Sequence, residues 1–280
     1  MSPQTLIHAT SIVDQLAVLG DGVEIGPFCQ VGPRVHIGSG TRLLSGVTIV
    51  SDSVIGSGCI IYPNAVLGAE APHQQQQQQQ QLRRQQHTGR HIVIGNNCVI
   101  REGVTVHQPT NDAGVPTTVG DQCVLMANSH VAHDCVLGSN VILVNGVLLA
   151  GHVTIGNNTT VSGASGVAQR VHIGECAFIS AGTFVNRDVL PFSMVMGMRA
   201  RTRGVAVMRL RRLGWSAGKI QKLAHGLEMV FQGDAKGVEK LLGDEEVKNE
   251  LGLVVALLKT SKNGICPPDT LAISGRVNRL

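Results

Sequence analysis

One aliphatic residue recurs every six positions along most of this chain, and that period restricts the fold more than any other feature. Steps of six from Ile7 give Val13, Leu19, Ile25, Val31, Ile37, Leu43, Ile49, Ile55, Ile61 and Leu67. The phase resumes at Ile94, Ile100 and Val106, and again from Val119 without error to Val185. All 26 registers hold Ile, Leu or Val. Neither a helix of period 3.6 nor a plain alternating strand calls for such a pattern. Each hexad suits a short strand and a corner, and three hexads close a triangular coil of eighteen residues. Coils stacked about 4.8 Å apart would pair their backbones and align the anchors in a dry axial core. Nearly nine coils make a prism roughly 40 Å long at that spacing.

Composition agrees with a narrow core. Aromatic residues make up 2% of the chain, too few to fill the wide layers of a sandwich or doubly wound sheet, whereas small branched side chains abound. Glycine often follows the anchor, as at Gly20, Gly26, Gly38, Gly56, Gly120 and Gly156. That position suits a corner where the backbone leaves ordinary β geometry. A net charge of +4 is too mild to argue for nucleic acid. Seven scattered cysteines, odd in number and never C-x-x-C, fit a reducing compartment without structural zinc. With no signal-peptide run and no membrane-length apolar stretch, a cytoplasmic protein is expected.

Two insertions break the phase, at about 69–92 and 108–118. The first contains the run Gln74 to Gln81, which cannot build a core and reads as a disordered loop. A run this long is unusual in a compact bacterial enzyme and hints at a eukaryotic host with organelles. After Val185 the hexads stop. From about Arg203 apolar residues such as Leu210, Leu213, Ile220, Leu223, Leu227, Leu251 and Val254 follow helical spacing. The expected architecture is mainly β: a parallel β-helix over 1–190, then a small α-helical domain over 191–280.

Asn128-Ser-His-Val-Ala-His-Asp-Cys135 resembles the active-site signature of the UDP-N-acetylglucosamine O-acyltransferases, which begin lipid A synthesis. Ile25-Gly-Pro-Phe-Cys-Gln-Val-Gly-Pro33, Ile100-Arg-Glu-Gly-Val-Thr-Val-His107, Leu149-Ala-Gly-His-Val153 and Leu210-Arg-Arg-Leu-Gly214 are similar to that family in the same order. The resemblance implies a left-handed β-helix, a homotrimer with clefts between prisms, and an acyl carrier protein as acyl donor. It implies no cofactor or metal. His133 would be the general base for the sugar 3-hydroxyl, with Asp134 orienting it. Gly151, eighteen residues on, would offer its N–H to the oxyanion. His130, His152, His107, Gln169 and Arg212 would contact substrate, and Ala181 would set the depth of the acyl pocket. The arginines at 199, 201, 203, 209, 211 and 212 suit either an acidic carrier protein and nucleotide phosphates or a solvated helix face.

Some family features are missing. Pro72 and His73 run into glutamines where the family has a charged nucleotide-binding string, for which Arg83, Arg84 or Arg90 could substitute. Ala168 replaces a cleft histidine, Ala206 an asparagine, Met198-Arg199 an Asn-His pair and Leu213 an arginine. Two other readings therefore stay open. One is a catalytically silent or altered-acceptor scaffold. The other is a metalloenzyme of the carbonic-anhydrase type, in which three histidines from a subunit interface bind zinc, kept open by the four clustered histidines.

Overall fold

A computed structural model describes residues 4–71, 91–110 and 115–269. The hexads form a parallel β-helix of about nine turns with three faces. Nearly every strand is two or three residues long, and each pairs with the strand one coil away: Leu125 with Leu143, Val131 with Leu149, Leu137 with Ile155. The three sheets contain eleven, nine and eight strands. Along the chain a coil visits them in that order.

The anchors point inward. Ile25 to Val185 are all but fully buried along the axis. From Ile25 on, the residue two positions before each anchor is buried as well and is mostly small, and Cys29, Cys59, Cys98, Cys123 and Cys135 occupy this position. Those thiols are packing atoms in a column with room for little more than Val, Ser or Thr. All seven cysteines are free and buried. Exposure of Leu6, Ile7, Ile12, Leu16 and Val18 marks the first coil, which has a neighbour on one side only.

The glycines after the anchors have a different cause from the expected one. Except at Gly68, their φ values are ordinary; the left-handed corner residues lie two positions later, at Phe28, Arg34, Asp134 and His152, for example. A Cβ on Gly38 would stand 2.6 Å from the Gly56 carbonyl carbon, and one on Gly56 would stand 2.5 Å from the Gly95 oxygen. Close approach of successive coils demands the missing side chain.

The glutamine run and Arg83, Arg84 and Arg90 lie outside the described residues. The prism also continues beyond residue 190. Ser193–Met196 adds a parallel strand to the eleven-stranded sheet, and Arg201–Val205 folds back against it antiparallel. Arg203 is therefore in a strand, held by the antiparallel pairing of Arg201–Val205 with Ser193–Met196. Among the described residues, helices begin at Val207. They are α1 (Val207–Arg212), α2 (Ala217–Gln232), α3 (Ala235–Leu241) and α4 (Lys248–Thr260). The Ser216 hydroxyl caps α2 by accepting the Lys219 N–H, Gly233 ends it at φ 75°, and the Asp234 side chain caps α3. Leu210, Ile220, Leu223, Leu227, Leu251 and Val254 pack with Leu190 and Phe192 into a second core. The chain then returns to the prism, where Cys266 joins the axial core and Asp188 accepts hydrogen bonds from Ser261 and Asn263. No described helix is long and apolar enough to cross a membrane.

Candidate active site

The corner from the nine-stranded to the eight-stranded face collects the expected catalytic residues. His133 and Asp134 form the corner after the strand His130–Val131; Gly151 and His152 form it one coil on, and Gln169 one further. Both insertions leave the prism at this corner, between Ala69 and Ile92 and between His107 and Thr117.

His133 Nδ1 lies 2.7 Å from Asp134 Oδ2. An ionised carboxylate only accepts, so this contact keeps the proton on Nδ1 and leaves Nε2 as the basic nitrogen. The same Oδ2 accepts the Thr110 hydroxyl at 2.7 Å and the Thr110 N–H at 3.2 Å. Thr117 Oγ1 accepts the Asp134 N–H at 2.9 Å, holding a residue whose φ is 60°. Burial pushes the Asp134 carboxyl up, but the Thr110 hydroxyl and the His133 ring outweigh it and hold the pKa below the ordinary value. His133 and Asp134 are 18% and 9% exposed, which keeps them reachable from one side.

Gly151 lies directly beneath the imidazole. A Cβ there would stand 2.3 Å from His133 Cε1 and 2.5 Å from Nε2. No acceptor among the described residues takes the Gly151 N–H. His152 packs edge-on against His133 with ring centroids 5.2 Å apart, and its Nε2 is 3.7 Å from Asp134 Oδ2. Burial lowers the pKa of His152, Arg170 and His133 add to that, and Asp134 opposes it.

His107 and His130 stand on the nine-stranded face, also edge to face, with centroids 4.7 Å apart. His130 Nδ1 hydrogen-bonds Thr105 Oγ1 at 2.7 Å. Burial lowers the pKa of both rings, and neighbouring histidines lower them further. Gln169 is exposed at the active corner.

Ala181 and Arg212 are not beside His133. Ala181 forms the far corner of the same nine-stranded face, three coils along, or about 14 Å at the stacking distance. Arg212 is exposed in the last turn of α1, whose Arg209 donates to Asn158 at a different corner, between the eight- and eleven-stranded faces. Arg203 pairs with Asp269. Arg203 and Arg209 thus have structural partners, while Arg199, Arg201, Arg211 and Arg212 are exposed. Ala206 is buried at the start of α1.

His133, Asp134 and His152 each offer a ligand atom within 4.8 Å of the others. Asp134 Oδ2, however, already accepts three donors, and the set contains two histidines. Within the single chain, no three histidines among the described residues bring their ring nitrogens that close together.

Residues 16–50, 34–69 and 116–151 match the family model of the bacterial transferase hexapeptide (six repeats), and 188–266 match UDP-N-acetylglucosamine O-acyltransferase, domain 2. The acyl-(acyl-carrier-protein)–UDP-N-acetylglucosamine O-acyltransferase of Sinorhizobium medicae is 42% identical over 228 residues, 81% of each chain. That of Bartonella henselae is 37% identical over 229 residues, 81% of this chain and 80% of its own. The chain belongs to the UDP-N-acetylglucosamine O-acyltransferase family. The solved acyltransferase of Francisella novicida superposes with a TM-score of 0.84 at 30% identity, over 95% of this chain and 98% of that one. The helical end of the chain is thus a family feature as much as the prism is.

Within this acyltransferase, two kinds of residue carry no signal in the sequence. Thr110 and Thr117 fell in or beside a polar insertion and gave no hint that they bind Asp134. Leu148 and Phe184, 56% and 45% exposed, were hidden because outward strand positions carry no periodic signal. His130, Leu148, Gly166 and Phe184 lie in register on successive strands of the nine-stranded face. The Phe184 ring covers Gly166, where a Cβ would meet it at 3.2 Å. An apolar strip therefore leads away from the histidines toward the Ala181 corner.

Proposed function

We propose that this chain transfers an acyl group, 3-hydroxylated in the favoured donor, from acyl carrier protein to the 3-hydroxyl of UDP-N-acetylglucosamine. The observation that carries this reading is the His133–Asp134 pair seated on Gly151, the arrangement acyl transfer to an alcohol requires. His133 Nε2 removes the hydroxyl proton as the sugar oxygen attacks the thioester carbonyl. Asp134 keeps the ring in the needed tautomer and stabilises the imidazolium. The Gly151 N–H receives the charge on the carbonyl oxygen. Collapse of the tetrahedral species breaks the carbon–sulfur bond, and His133 returns its proton to the departing thiolate of the carrier. His107, His130, His152 and Gln169 line the sugar side, and Arg212 with the exposed arginines receives phosphate or the acidic carrier.

The acyl chain runs along Leu148 and Phe184 toward Ala181. The working unit is a homotrimer, in which a neighbouring prism covers this strip and closes the cleft. An exposed apolar strip that begins at the catalytic histidines supports both statements.

The test is transfer from 3-hydroxyacyl carrier protein to labelled UDP-N-acetylglucosamine, with other UDP-sugars as competing acceptors and light scattering for mass. Transfer selective for UDP-N-acetylglucosamine by a trimer is the expected result. A folded trimer that acylates another UDP-sugar would overturn the acceptor, and one that acylates none would favour the scaffold reading.

A further inference from the structure

We infer that Thr110 is a positioning residue that commits Asp134 to His133 and away from His152. This rests on the acyltransferase reading above, in which His133 is the base. Two imidazoles flank a single carboxylate oxygen. Asp134 Oδ2 is 2.7 Å from His133 Nδ1 and 3.7 Å from His152 Nε2. A rotation of the carboxylate about its own χ angles would exchange these partners, and a base turned to the wrong tautomer is lost to catalysis.

Thr110 prevents that exchange. Its hydroxyl and its N–H both end on Oδ2, at 2.7 and 3.2 Å, so one residue fixes the oxygen from two directions. Thr117 fixes the Asp134 backbone through the Asp134 N–H, so neither main chain nor carboxylate is left to choose. Hydrogen bonds to a charged acceptor are short and directional, and Thr110 supplies one of them from outside the histidine cluster. The carboxylate is 9% exposed, so water has little room to take the place of a missing donor.

The experiment compares Thr110→Val with Thr110→Ser. Valine keeps the branched shape and the N–H but removes the hydroxyl; serine keeps the hydroxyl and loses a methyl group. Thr110→Val is expected to lower kcat by about tenfold to a hundredfold, the range for losing a hydrogen bond to a charged group, with KM nearly unchanged. Thr110→Ser restores kcat. The second readout is independent of turnover: the downfield proton resonance of the Asp134-bound ring N–H, assigned by its loss in His133→Gln. It broadens or shifts in Thr110→Val and stays in place in Thr110→Ser. Wild-type kinetics and an unmoved resonance in Thr110→Val would overturn the inference, as would a serine variant as impaired as the valine one. A wild-type protein without transferase activity, but with the resonance responding as described, would sink the functional reading and keep the positioning one.

Discussion

Gly151→Ala separates the geometry of the base from the stability of the prism. A Cβ at that position would stand 2.3 Å from His133 Cε1, 2.5 Å from Nε2 and 2.9 Å from Nδ1, whereas ordinary contact begins at 3.4 Å. The ring must retreat by about 1 Å, and its 2.7 Å bond to Asp134 must stretch or swing. A misplacement of that size at a reacting group costs about a hundredfold in rate. The substitution removes nothing else. Alanine retains the N–H for the oxyanion, and the φ of Gly151 is outside the left-handed region, so its backbone tolerates a Cβ. Folding stability should therefore stay within about 1 kcal/mol of wild type. The assay is kcat at saturating acyl carrier protein thioester and sugar nucleotide, beside thermal unfolding of the same preparation. Activity within about threefold of wild type, with the melting point unchanged, would refute the placement of His133 on Gly151 as the catalytic arrangement.

Three further outcomes follow from the same structure. Phe184→Ala uncovers Gly166 and should move kcat/KM toward longer acyl chains by about tenfold in a series of carrier-protein thioesters; an unchanged ratio would mean that the chain does not cross this face. Gly38→Ala puts a Cβ 2.5 Å from the Ser57 nitrogen one coil away and should destabilise the prism by about 1–3 kcal/mol in urea unfolding. Burial holds His107, His130, His152 and His172 below the ordinary histidine value of 6.5, so the unfolded chain takes up protons first as pH falls. Their contribution to stability is complete above 6.5 and is lost as pH drops through the folded-state values. The urea midpoint should fall on acidification from about pH 7.5 to 5, and fall less in His130→Gln.

The prism was legible because its rule is strictly local: every sixth side chain must fit one narrow axial column, and the count restarts cleanly at Ile94 and Val119 after each interruption. The motif around His133 added the corner, since a spacing of eighteen puts Gly151 one coil away. Other causes were not written in the period. The glycines after the anchors answer mostly to backbone one coil distant, and the packing role of Cys59 or Cys123 shows only once its column is seen. The end of the strand Arg201–Val205, from Arg203, was taken into the helical segment because a short capping strand has too few residues to display alternation. Thr110 was out of reach for a different reason. Its partner Asp134 is 24 residues away across an insertion, and threonine in a polar loop resembles any other. Ala181 carries the converse lesson: its role came from resemblance alone, and only the coil geometry sets it across the face from His133.

The central claim is that His133 is the base of an acyl transfer to UDP-N-acetylglucosamine. The most direct measurement is single-turnover transfer from 3-hydroxyacyl carrier protein by wild type and by His133→Ala, each verified as folded. The wild-type protein should yield the 3-O-acyl product, and the variant should be slower by at least about a thousandfold across the pH range, as expected when a general base is removed. Equal rates in the two proteins would contradict the assignment of the base, and the absence of that product from active wild-type protein would contradict the reaction itself.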